Sequence, residues 1–312
     1  MVPTSSLDRR TIFALFIVCV VWGSTFLVMR FAVEGIPPLL MAGMRYSTAG
    51  IILVSVLRLG RAPLPTAKQW LLSAPVGALF FLVGNGLVAI AEQKISSGIA
   101  AVVCATMPLW AAAMGSLFGE RTTSREWVSM ALGLAGVVIL STGTELRADL
   151  TSSMVLMLAP IGWALGSLLS RRLPLPKGLM AAGTQMVTGG SVLLVVGLVS
   201  GERFPAHPSF KSVASLTYLI VFGSLIAFSA YNYLLRTARP AVAMSYAYVN
   251  PAIAVLFGAA LGAEKLQGHT LVATVLIVAA TVVMVSGKKS AVRNAAALPP
   301  SIDLPTRLSP PR

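Results

Sequence analysis

Residues 107–120 read MPLWAAAMGSLFGE, and residues 250–264 read NPAIAVLFGAALGAE. Pro108, Gly115 and Gly119 recur as Pro251, Gly258 and Gly262 at a constant offset of 143, and Glu120 recurs as Glu264 at 144. The correspondence extends upstream. Trp22-Gly23-Ser24 has a counterpart in WALGS at 163–167, and Arg45 and Gly50 match Gln185 and Gly190 at an offset of 140. A self-similarity this long and this ordered marks two copies of one structural unit.

The setting of that unit follows from composition. The chain has 312 residues, 56% of them hydrophobic and 11% charged. Soluble domains carry roughly a quarter charged residues, so this chain lacks the polar surface that a water-soluble fold needs. A cytoplasmic enzyme, a nucleic-acid-binding module and a secreted disulfide scaffold are excluded. The two cysteines, Cys19 and Cys104, lie in apolar runs and read as small core residues. Ten windows run 18 to 25 residues each: 11–29, 35–57, 69–91, 95–119, 127–144, 150–170, 178–201, 212–235, 240–263 and 266–287. Arg45 is the one charge inside them. Each window is long enough for a helix to cross the ~30 Å hydrocarbon core. None alternates apolar with polar as a barrel strand does. The first window is full length and has no convincing cleavage site, so it reads as helix one rather than a signal peptide.

We therefore expect an all-α membrane protein of ten transmembrane helices. Five crossings per copy is an odd number, so the second copy must sit inverted relative to the first, as in many secondary transporters. The expected organisation is a cytoplasmic N-terminus at 1–10, repeats at 11–148 and 149–288, and a proline-containing disordered cytoplasmic tail at 289–312. With both termini inside, 17 of the 24 Lys and Arg fall on inward-facing segments and six on outward-facing ones. The positive-inside rule selects this orientation. It also accounts for the net charge of +14 without nucleic acid, as a basic rim facing anionic lipid.

These residues carry a family resemblance over about 10–288. Trp22-Gly23-Ser24, Pro37 with Arg45, Gly98-Ile99-Ala100-Ala101 leading to Pro108, and the run from Gly115 to Glu120 resemble the EamA domain of the drug/metabolite transporter superfamily. The second half repeats the pattern from Ala241 to Glu264. Within the superfamily, Ala230-Tyr231-Asn232-Tyr233 and Val249-Asn250-Pro251 make the chain similar to YddG-type exporters of aromatic and other amino acids. The resemblance implies an inner-membrane secondary transporter that exports amino acids by alternating access, without metal, cofactor or catalytic residues. A monomer is the favoured state.

Candidate site residues are the polar and aromatic side chains within the windows. Asn85, Trp163, Gln185, Tyr231, Asn232, Ser245, Tyr246, Tyr248 and Asn250 should face inward, because an amide or hydroxyl exposed to lipid is costly. Tryptophan and tyrosine can stack on a flat apolar substrate while keeping a polar handle. Interhelical hydrogen bonding is the bland alternative for each, worth well under 2 kcal/mol. Arg45 has two readings: a site for a substrate carboxylate, or a structural clamp on helix-end carbonyls. Its presence across the superfamily whatever the substrate favours the clamp. Pro108 and Pro251 each free a carbonyl one turn back, at Cys104 and Ala247, and are read as paired hinges. Gly115, Gly119, Gly258 and Gly262 have the spacing that lets helices pack closely.

Absences narrow the class. No acidic residue falls inside a window, which argues for an uncoupled facilitator. A proton-coupled exporter of another metabolite or drug is the nearest alternative. A passive channel is another, and so is a polytopic membrane enzyme, for which no HExxH helix or GxSxG elbow is present. The cavity is expected between the halves, lined by helices one to four and six to nine, with five and ten outside it.

Overall fold

The computed structural model describes residues 9–117, 124–141, 149–237, 243, 246–262 and 268–285. Gly119, Glu120, Ser245, Glu264 and the tail lie outside the described residues, as does the side chain of Tyr248.

Among the described residues the chain is entirely helical. The helices are α1 (Arg9–Val33), α2 (Pro38–Leu59), α3 (Ala67–Ala91), α4 (Ser97–Cys104), α5 (Met107–Leu117) and α6 (Ser124–Ser141). They continue with α7 (Leu150–Arg172), α8 (Leu179–Val199), α9 (Phe210–Thr237), α10 (Tyr246–Leu261) and α11 (Gly268–Val285). Among the described residues seven stretches are long and apolar enough to cross a membrane: α1, α2, α3, the α4–α5 pair to Gly115, α7, α8 and α9. The fifth, ninth and tenth windows are occupied by α6, α10 and α11. Outward faces carry exposed Phe13, Phe16, Ile51 and Val56, side chains that suit lipid.

Packing follows the repeat. α2 lies along its counterpart α8, and α6 lies along its counterpart α11. α1 packs on α9 and α10, and its counterpart α7 packs on α3 and on α4–α5. The α2–α8 crossing is made backbone to backbone by glycines. A Cβ on Gly50 would stand 2.6 Å from Val187 N, and one on Gly190 would stand 2.4 Å from Ser47 N. Small residues let helices approach where lipid supplies no hydrophobic drive.

Two helices depart from regular α geometry at matching places. α3 widens into a π-helix over Ala78–Gly86, and α9 does so over Leu219–Ile226. π-helical turns of this kind are rare and frequently mark functional sites. The fourth window breaks at 105–106, just ahead of Pro108, whereas α10 runs unbroken through Pro251. The paired-hinge reading thus meets an interrupted helix at one proline and a continuous one at the other.

Candidate functional site

The wide turn of α3 and the broken fourth window meet at one cavity. It measures about 60 Å³ and lies between the two halves. At ~15 Å³ per water, that is room for about four waters. The wall comes from α1 (Trp22, Thr25, Phe26, Met29), α2 (Arg45, Tyr46) and α3 (Gly84, Asn85, Val88). The fourth window adds Ala101, Cys104, Ala105 and Met107, α7 adds Trp163, and α10 adds Tyr246, Ala247 and Asn250. Helices α6 and α11 contribute nothing described, in line with expectation. Neither do α8 and α9, which were expected to line the cavity and instead stand behind its wall.

Trp22 and Trp163, equivalent by the repeat, meet edge to face with ring centroids 5.2 Å apart. Tyr231 and Tyr246 pack on Trp22 at 5.1 and 4.9 Å. Edge-to-face geometry sets the positive rim of one ring on the negative face of the next. The tryptophans differ in their polar ends. Trp22 Nε1 donates to Gly223 O at 2.9 Å. Trp163 Nε1 is buried and completes no hydrogen bond among the described residues. Gly84 has no side chain because Trp163 occupies the place: a Cβ would lie 2.9 Å from Trp163 Cε3.

Arg45 is 2% exposed. Its Nε donates to Ser224 Oγ at 2.8 Å, its one hydrogen bond among the described residues. Its Cζ lies 4.6 Å from the centroid of the Tyr46 ring. Nη1 has no partner. A Cβ on Gly223 would stand 2.7 Å from Nη2, so the π-helical turn of α9 is shaped around the guanidinium. The expected clamp on helix-end carbonyls is replaced by a bond to one hydroxyl. Opposite charge comes from Glu92, within electrostatic range of Arg45 and of Cys104.

The remaining candidates divide. Asn85 lines the cavity, and its Oδ1 has no hydrogen-bond partner among the described residues. Tyr246 also lines it and donates to Met107 Sδ at 3.3 Å. Gln185 and Asn232 bond to each other, Asn232 Nδ2 donating to Gln185 Oε1 at 3.1 Å, and Gln185 Nε2 donates to Ser170 Oγ at 3.1 Å. They are buried ties between helices, outside the cavity wall. Tyr231 shares a 2.8 Å hydrogen bond with the Ser167 hydroxyl and supports the wall from behind. Asn250, with its amide nitrogen turned toward them, donates to Cys19 O and Tyr246 O, both at 3.1 Å. It pins α10 to α1. Gly258 is buried in α10, and a Cβ on Gly262 would meet Leu27 Cδ1 at 2.6 Å, which assigns this glycine to packing.

Sequence reasoning passed over Trp22 as a wall residue, although its match to Trp163 was the available signal. It also passed over Glu92. That residue ends α3 one position past the third window, and its side chain turns back into the protein, 2% exposed.

The fold is one shared with known proteins. The EamA-like transporter family matches residues 9–142 and again 150–286. The chain belongs to this family. It is 44% identical to "Uncharacterized inner membrane transporter YedA" of Escherichia coli K12, over 88% of this chain and 90% of the relative. It is 22% identical to "Probable amino-acid metabolite efflux pump" of Salmonella typhimurium LT2, over 90% of this chain and 96% of the relative. A protein solved by crystallography, 18% identical, shares the fold with a TM-score of 0.64, covering 89% of this chain and 97% of its own. The EamA domain seen twice makes this chain a two-repeat member of the drug/metabolite transporter superfamily.

Proposed function

We propose that this transporter exports amino acids, aromatic and other large apolar ones foremost, by alternating access. The observation that carries the reading is the cavity itself. It sits where the two repeats meet and combines an edge-to-face tryptophan pair with polar atoms on Arg45 and Asn85 that have no partner among the described residues. Aromatic faces suit a flat apolar side chain. Buried polar atoms left without partners suit a ligand that brings its own. The name printed for the Salmonella relative points to the same class of cargo. Exchange of the two repeats between two equivalent packings supplies inward-open and outward-open forms of similar energy.

The transporter is further proposed to work uncoupled, in the inner membrane, with both termini cytoplasmic. Among the described residues lining the cavity there is no Asp, Glu or His. One observation favours a second reading, a proton-coupled exporter: Glu92 is a buried acid near Arg45. The deciding experiment is uptake by the purified protein in liposomes, with a panel of radiolabelled amino acids. Saturable uptake and counterflow of phenylalanine, tryptophan or leucine are expected. Unsaturable flux would make the protein a channel, and no flux of any amino acid would end the amino-acid reading.

A further inference from the structure

Resting on the amino-acid reading, we infer that the cavity recognises the whole zwitterion. Arg45 takes the carboxylate, while Asn85 takes the ammonium together with the carbonyls that Pro108 and Pro251 leave free. The starting point is the state of Arg45. A guanidinium has five N–H donors in a rigid fork. Here one donor is used, by Ser224, and the group is 2% exposed. A buried charge with its hydrogen bonds unmade is strongly destabilising. Glu92 offsets the charge through space, and among the described residues its carboxylate oxygens make no hydrogen bond to the fork. The ring of Tyr46 covers one side at 4.6 Å, and Ser224 fixes Nε. The fork's outer edge, with Nη1 unpartnered, is left for a planar anion. Carboxylate matches it bidentately.

The acceptors complete the site. An ammonium has three N–H donors and no acceptor. Asn85 Oδ1 is a buried acceptor without a donor. Proline cannot donate to the carbonyl four residues back, so Cys104 O and Ala247 O lose their helical donors. Both residues line the same cavity. That gives three acceptors for three donors, contributed by both repeats. The prolines therefore do chemical work in the wall as well as bending helices. Trp22 and Trp163 remain for the side chain, which explains how one site could accept several apolar side chains while demanding both charges.

The test uses the full-length protein in liposomes and three probes of one shape: L-phenylalanine, phenethylamine (no carboxylate) and 3-phenylpropionate (no ammonium). Competition against labelled phenylalanine counterflow reads each affinity. Wild type is expected to prefer phenylalanine at least tenfold over each truncated probe. Arg45→Gln is expected to lose the preference over phenethylamine and keep that over 3-phenylpropionate. Asn85→Leu is expected to do the reverse. Asn85 holds no other described group, so this variant tests the ammonium half even if Arg45→Gln fails to fold. Equal competition by all three probes in wild type, or variants that discriminate as wild type does, would overturn the inference while leaving amino-acid transport standing. A wild type that transports no amino acid would overturn the amino-acid reading itself.

Discussion

Trp163 is held on several sides, by Trp22 at 5.2 Å, Phe80 at 4.9 Å, Tyr231 at 5.8 Å and Phe228 at 6.3 Å. Truncating such a residue to alanine empties a volume that neighbours cannot fill, typically at about 3–5 kcal/mol. Trp163→Ala should therefore lower the unfolding temperature as well as transport, and its transport loss alone would say little. Trp163→Phe separates the two effects. It keeps a ring against Trp22 and removes the buried Nε1 donor that has no partner. The unfolding midpoint should stay near wild type while uptake of tryptophan and phenylalanine falls several-fold. Full uptake at unchanged stability would assign Trp163 to packing alone. Ser224 makes a second clean case, since its hydroxyl holds Arg45 Nε at 2.8 Å. Ser224→Ala leaves a buried guanidinium with no fixed partner, and a hydrogen bond to a charged group is worth about 1.5–3 kcal/mol.

Helices α2 and α8 depend on glycine where their backbones touch. Gly190→Ala would place a Cβ 2.4 Å from Ser47 N, a backbone atom that cannot swing aside. The two helices must separate, so the variant should unfold several degrees below wild type in detergent, and Gly50→Ala should behave alike. Gly60→Ala is the control, because its nearest neighbour is 3.4 Å away; equal losses in all three would refute the contact argument. At the start of α7, Asp149 caps the helix by accepting from Ser152 N at 2.8 Å and pairs with Lys94. The pairing with Lys94 and the cap hold its carboxyl down at about 2, below the ordinary ~3.9. A lowered folded-state value gives stability that is complete above the unfolded value and is lost as pH falls toward the folded one. Thermal midpoints should drop between about pH 4 and pH 2 more steeply in wild type than in Asp149→Asn; parallel profiles would sink that reading. The repeat, the apolar windows and the packing glycines were legible in sequence because each is a matter of spacing and composition. The π-helical turns were not, since Ala78–Gly86 has no residue that demands them, and they emerge only where α3 and α9 pack beside α7 and α1. Gln185 and Asn232 show a related limit of spacing: a buried amide must find a partner, here the neighbouring amide, and sequence does not say which partner it takes.

Across the whole molecule, one liposome preparation reads both orientation and energy supply. Lys211 pairs with Glu34 at 2.8 Å at one end of the bundle, with half of its side chain exposed. Arg172 closes α7 and is also exposed. With both termini cytoplasmic, a membrane-impermeant thiol reagent added outside should label Lys211→Cys and spare Arg172→Cys; the reverse pattern would invert the topology. Energy supply turns on which groups can exchange a proton as the cavity alternates. The described cavity wall carries no Asp, Glu or His, so no described wall residue offers a carboxyl or imidazole with which to load a proton beside the substrate. A zwitterion held between Arg45 and neutral acceptors crosses without net charge, and its own gradient suffices to drive export from a cell that accumulates it. Downhill uptake into liposomes should then proceed with no imposed pH gradient or membrane potential, and Glu92→Gln should leave that flux unchanged. Uphill accumulation of phenylalanine under a pH gradient alone would end the facilitator reading. Were that accumulation abolished in Glu92→Gln while downhill counterflow survived, the buried carboxylate at the end of α3 would be the proton carrier. Its electrostatic reach to Arg45 would then link proton release to substrate binding.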